Sequence, residues 1–182
     1  MSLHRMRALG IAGLAAVLGN VVSAPLVYAE QKPTIEEGLA AAAARKYKAE
    51  LPKIQALARR GDADGLFHLG LMHFQGWGVS QDYAEALRLF SAAAEKGHAQ
   101  ALIWLGDAYA EGKGAPKDNV EAHKFYDLAT TQAKRGDLEL SEIYREMADK
   151  KKKDVAAKMT KAEIVDAQKR ASEWRSKLSG QE

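Results

Sequence analysis

The chain has 182 residues, 47% of them hydrophobic and 28% charged, enough for one packed domain or a short repeat array and too polar to lie in a membrane as a whole. Its formal charge is +3, but Met1–Ala29 hold Arg5 and Arg7 and no acid, leaving 25 basic against 24 acidic residues in the rest. A body so nearly balanced has little net field to steer nucleic acid, and no nucleic-acid partner is expected. The absence of cysteine excludes disulfides, thiol nucleophiles, cysteine-ligated metals and a lipidated N-terminal cysteine.

In chain order, His4, Arg5 and Arg7 precede the uncharged run Ala8–Val22, and Val27-Tyr28-Ala29 supplies the small residues of a cleavage site. The expectation is an export signal over residues 1–29, a mature chain beginning at Glu30, and a periplasmic or secreted location. The alternative is an uncleaved anchor, since Ala8–Ala29 is about long enough to cross a bilayer of ~30 Å. Next, Ile35–Lys48 and Pro52–Arg60 suggest a degenerate helix pair, with Pro52 in the first turn of its second helix.

From Gly61 the sequence repeats with a period of 36. Leu66 falls on Leu102, Leu69-Gly70 on Leu105-Gly106, Gly76 and Gly78 on Gly112 and Gly114, Asp82 on Asp118, Glu85 on Glu121 and Ala93 on Ala129. Ala63–Gln75 and Ala99–Glu111 carry apolar residues at helical spacing, with Leu69 and Leu105 in the core. Gly70 and Gly106 each cost about 1 kcal/mol of helix propensity relative to alanine, so their recurrence predicts a close helix approach at that place. The glycine pairs end the first helices. Asp82-x-x-Glu85 and Asp118-x-x-Glu121 open second helices over Asp82–Lys96 and Asp118–Lys134. Gly61-Asp62, Gly97-His98 and Gly136-Asp137 close the units with turns.

Leu138–Lys150 is expected to begin an incomplete third unit. Thr160–Lys177 is expected to be a helix with the capping box Thr160-x-x-Glu163 and an apolar stripe of Ile164, Ala167, Ala171 and Trp174. Terminal units of an array must hide one apolar face, which puts Trp174 against the last repeat. The run Lys150–Lys153 is read as a solvated helix end or linker.

Ala63…Leu69-Gly70…Gly76-Trp77-Gly78-Val79…Asp82…Ala86…Ala92-Ala93-Ala94…Gly97 resembles the Sel-1-like repeat, a relative of the tetratricopeptide repeat. The second copy departs at Ala115-Pro116, and its closing segment Thr130–Gly136 is longer. The resemblance is strong over Ala56–Asp137. It implies an all-α, right-handed α-solenoid of antiparallel helix pairs with capping helices at both ends. The expected divisions are 1–29 signal, 30–60 N-terminal cap or degenerate repeat, 61–96 and 97–136 repeats, and 137–182 partial repeat with a C-terminal capping helix. Such repeats act as adaptors between proteins, so a protein partner of unknown identity is implied, on a concave face lined by the first helices. Cysteine-rich relatives are linked to penicillin-type ligands, an activity not carried over to a chain without cysteine.

No enzyme is expected. Gly-x-Ser-x-Gly, Ser-x-x-Lys, His-Glu-x-x-His and a phosphate loop are all absent from the sequence. His68 and His73 are five apart, a spacing that does not stack two imidazoles on one helix face, so neither a metal nor a cofactor is expected. Three positions vary where their neighbours match: His68 against Trp104, Leu71 against Asp107, and Trp77 against Lys113. The expected partner contacts are Leu66, His68, Trp77, Leu102, Trp104 and Asp107, with Trp77 and Trp104 either exposed anchors or part of repeat packing. A glycan- or peptide-binding accessory of the cell wall is the alternative function, and a regulator restraining a membrane sensor shares the same fold.

Overall fold

A computed structural model describes residues 35–132 and 138–180. Among them are seven helices and no strand: α1 (Ile35–Arg59), α2 (Ala63–Gln75), α3 (Tyr83–Glu95), α4 (Ala99–Glu111), α5 (Asn119–Gln132), α6 (Leu138–Ala156) and α7 (Lys161–Ser179). Each helix through α6 packs on the one before it, and α7 returns to pack on α5. The result is a solenoid of helix pairs, α2/α3 and α4/α5 forming its two full units. The proposed signal over residues 1–29 and the turn at Gly136-Asp137 lie outside the described residues.

The helix boundaries follow from the capping residues. Asp62 accepts from the Gly65 N–H at 2.9 Å, Asp82 from the Glu85 N–H at 3.0 Å, and Asp118 from the Glu121 N–H at 3.0 Å. Before α4 the same position holds His98, whose Nδ1 accepts from the Ala101 N–H at 3.2 Å. The residue read as a turn is therefore also a helix cap. Gly76 and Gly112 end α2 and α4 at φ of 72° and 76°, a left-handed backbone that glycine adopts without steric cost. The Thr160/Glu163 capping box opens α7 with both of its hydrogen bonds present.

Gly70 and Gly106 mark the closest packing. A Cβ on Gly70 would come within 2.7 Å of the Phe90 ring, and one on Gly106 within 2.4 Å of the Tyr126 ring. Phe90 and Tyr126 are themselves 36 residues apart, so each repeat sets a second-helix aromatic ring against a first-helix glycine. Phe90 is fully buried among Phe67, Phe74 and Trp104, with ring centroids 5.9–6.1 Å away. Leu105 is buried, and Leu69 is half-buried against the same core.

The N-terminal expectation needs correcting. Ile35–Arg59 is one continuous helix, not a pair, with Pro52 inside it. Pro52 is exposed, so water can take the hydrogen bond that its missing N–H leaves open at the Lys48 carbonyl. The C-terminal half of α1 also keeps the repeat register: Tyr47, Leu51, Ile54, Ala58 and Gly61 precede Tyr83, Leu87, Phe90, Ala94 and Gly97 by 36. It therefore acts as the second helix of a preceding unit. Gly78 sits against the Lys48 backbone as Gly114 sits against the Tyr83 backbone one period later.

Lys150–Lys153 falls in the last two turns of α6, the helix end expected, but it is only partly solvated, since Lys151 and Lys152 are half-buried. Lys151 meets Asp107 at 2.8 Å, Lys152 meets Asp127 at 3.2 Å, and Lys153 meets Asp149 at 2.7 Å. On α7, Arg170 reaches Glu121 at 2.8 Å and Trp174 packs edge-on against Phe125 at 5.7 Å. α6 and α7 are thus held to α5 by both charge and apolar contact.

Candidate functional site: a groove across the first helices

α2, α4 and α6 together wall a groove of about 430 Å³, and Tyr47 of α1 also lines it. Leu71 and His68 come from α2, Trp104 and Asp107 from α4, and Tyr144, Met147 and Lys151 from α6. Trp104 is half-buried: one part packs on Phe74 and Phe90 at 5.1 and 5.9 Å, and the rest faces the groove. Met147 is 41% exposed, a large apolar side chain left in solvent beside that groove. His68 Nδ1 lies 3.3 Å from the Tyr47 hydroxyl.

Of the six residues expected from the sequence, His68, Trp104 and Asp107 come together here. Leu66 and Leu102 are buried at 7% and 1% exposure, because their positions on α2 and α4 turn toward the second helices. They support the groove without lining it. Trp77 lies elsewhere: its ring stacks on Tyr47 at 4.9 Å. Lys113, its counterpart one period on, lies 6.0 Å from the Tyr83 ring, so this loop position packs on the preceding second helix in both repeats.

Asp107 is already engaged. It accepts from the Tyr126 hydroxyl at 2.6 Å and from Lys151 at 2.8 Å, tying α4, α5 and α6 together. Burial first, then this hydrogen bond, push the Tyr126 phenol far above its ordinary value. The groove wall thus holds a neutralised ion pair beside an apolar floor. Tyr47, Tyr144 and Met147 were missed from the sequence. Tyr47 lies outside the two clear copies, and the α6 residues follow the longer closing segment, where the 36-residue offset no longer applies.

Two histidines supply a pH dependence. Burial pushes His98 down, against the opposing pull of Asp64 and Asp62 and with help from His68. A neutral ring also fits its Nδ1 acting as acceptor, so the contact of Nε2 with Asp64 at 3.3 Å is a hydrogen bond donated by the imidazole, not a charged pair. His123 is pushed down by burial, with Lys152 adding to the shift and Asp127 opposing it. Depressed folded-state values mean that the unfolded chain binds protons first. The stability held above about pH 6.5 is therefore lost as pH falls through the folded values. Thermal melts from pH 7 to pH 5 should show a falling midpoint, and His98→Asn, which keeps a cap acceptor, should flatten part of it. An unchanged slope in that variant would exclude His98 as a source.

Among the described residues no group of three or more His, Asp or Glu is placed to hold a metal, and no helix is long and apolar enough to cross a membrane. The fold and its groove define a helical repeat scaffold. The family model for the Sel1 repeat matches residues 63–98 and 99–133, and the chain therefore carries two Sel1 repeats. Among solved structures it is similar to a protective antigen present in uropathogenic Escherichia coli strains that displays an SLR fold. The identity is 25% and the TM-score 0.62, over 75% of this chain and 28% of that one. A Sel1 repeat protein from Oxalobacter formigenes shares 28% identity at a TM-score of 0.47, over 55% of this chain and 41% of that one. The chain thus spans less than half the length of either. No curated protein sequence matches it.

Proposed function

We propose that the chain is an exported protein-interaction module that takes a segment of a partner protein into the groove across α2, α4 and α6. Sel1 repeats support the coarse reading of a protein-interaction scaffold, and the export part rests on the composition of Met1–Ala29. The observation that carries the site is the join of Trp104, Leu71, Tyr144 and exposed Met147 around one concavity. An aromatic and apolar centre flanked by a satisfied ion pair is the composition of an interface core. No catalytic step is assigned to it.

Met147 gives the cleanest test, because its exposure makes loss of fold on substitution a minor concern. A photo-crosslinking residue at position 147, in cells that make the protein, should yield a discrete protein adduct. The same residue at Val165, which is 63% exposed on α7, should not. Met147→Glu, placing a charge in an apolar contact, should weaken binding of the captured partner by about tenfold or more. Equal labelling from both positions would remove the groove from consideration. Sedimentation with purified peptidoglycan that Met147→Glu abolishes would transfer the site to the cell-wall reading.

A further inference from the structure

The solvent face of α1 collects charge that no ion pair among the described residues neutralises. Over Ala42–Arg60, Tyr47, Leu51, Ile54 and Ala58 form the stripe that packs inward. Away from that stripe Arg45, Lys46, Lys53 and Arg59 are exposed, with exposed Lys48 on the flank where the Gly78 loop packs and exposed Arg60 just past the end of α1. Between them lie only small or ring-constrained residues, Ala42, Ala49, Pro52 and Ala56, also exposed. The single acid of this stretch, Glu50, sits on the flank beside Tyr47. None of the ion pairs among the described residues uses any of these six cations. Lys151, Lys152 and Lys153 on α6, and Arg170 and Arg175 on α7, each meet a carboxylate instead.

We infer that this face of α1 is a docking surface for an anionic phospholipid bilayer. Arg45 to Arg59 span about 21 Å at 1.5 Å per helical residue, a length that covers several headgroups. The face has no aromatic or large aliphatic side chain to fill a pocket, which a protein partner would use as an anchor. A row of cations over alanines suits a flat, diffuse sheet of phosphate, where each Lys or Arg near the surface strengthens binding about fivefold. The contact is electrostatic and lies along the helix, with no insertion of α1 into the hydrocarbon. The groove across α2, α4 and α6 is a separate surface, so this inference stands or falls independently of the partner reading.

The test is co-sedimentation of the full chain with vesicles of phosphatidylcholine alone and of phosphatidylcholine with a quarter phosphatidylglycerol. The apolar run Ala8–Val22 contributes to both, so the difference between the two isolates charge. The wild-type chain should partition at least tenfold more strongly to the anionic vesicles, and salt raised from 0.1 to 0.5 M should remove most of that preference. A variant with Arg45, Lys46, Lys48, Lys53 and Arg59 changed to Gln should lose it, with an unchanged melting temperature showing that the array still folds. Changing the exposed Lys158, Lys161 and Lys177 to Gln should leave the preference within about twofold. Equal partitioning to both vesicles would overturn the proposal. So would a preference that survives the α1 substitutions, or an acidic peptide or RNA that displaces the vesicles while the bilayer alone binds no better than neutral lipid.

Discussion

Phe90→Ala is expected to cost about 4 kcal/mol of folding stability, the range seen when a buried aromatic ring is cut to a methyl group. Phe90 is wholly buried, covers Gly70, and touches aromatic rings from three other positions, on α2 and α4. The space it leaves cannot close easily. The neighbours are rings held by their own helices, and Gly70 has no side chain to move in. In a chain of this size the loss should lower the melting temperature by about 10 °C, with a matching fall in the urea midpoint. Trp104 rests on Phe90, so the same variant should also disturb Trp fluorescence at the groove. A change under 1 kcal/mol would mean that the two units do not share this core.

Gly106→Ala is the second large effect, and its sign is informative. By helix propensity alone the change should stabilise α4 by about 1 kcal/mol. The added Cβ would lie 2.4 Å from Tyr126 Cε1 and 2.6 Å from Cδ1. Tyr126 is 2% exposed, and Asp107 holds its hydroxyl at 2.6 Å, so the ring is pinned at both ends. Overpacking should exceed the propensity gain and leave a net loss of about 2 kcal/mol. In a Tyr126→Leu background the same glycine substitution should cost much less, giving a coupling above 1 kcal/mol in a double-mutant cycle. Stabilisation by Gly106→Ala in the wild-type chain would refute the close approach of α4 and α5.

The candidate groove was half legible before the fold was known. Positions that break the 36-residue match pointed to His68, Trp104 and Asp107, because a residue not needed for repeat packing is free to vary. The same rule also pointed to Trp77, which varies for another reason: the loop position can pack on a tyrosine either as an indole ring or as a lysine. Leu66 and Leu102 were misplaced because periodicity identifies an apolar stripe without saying which edge of it faces the next helix. The α6 contribution was out of reach, since Tyr144 and Met147 lie beyond the longer closing segment.

The sequence by itself determined the period, the helices of both repeats with their terminating glycines, the second-helix caps Asp82 and Asp118, and the close approach at Gly70 and Gly106. All of these are local or recur at a fixed spacing, so neighbouring residues suffice to specify them. Tertiary structure alone decided which charges are left over. The four consecutive lysines of α6 looked like a solvated charge run, yet Lys151 meets Asp107 on α4, Lys152 meets Asp127 on α5 as well as Asp149, and Lys153 meets Asp149 on α6 itself. The cations of α1 are spread over Arg45–Arg60, yet none of them meets a carboxylate among the described residues. Ion pairing depends on which helices become neighbours, and residues 44 positions apart, such as Asp107 and Lys151, meet only when the array has stacked.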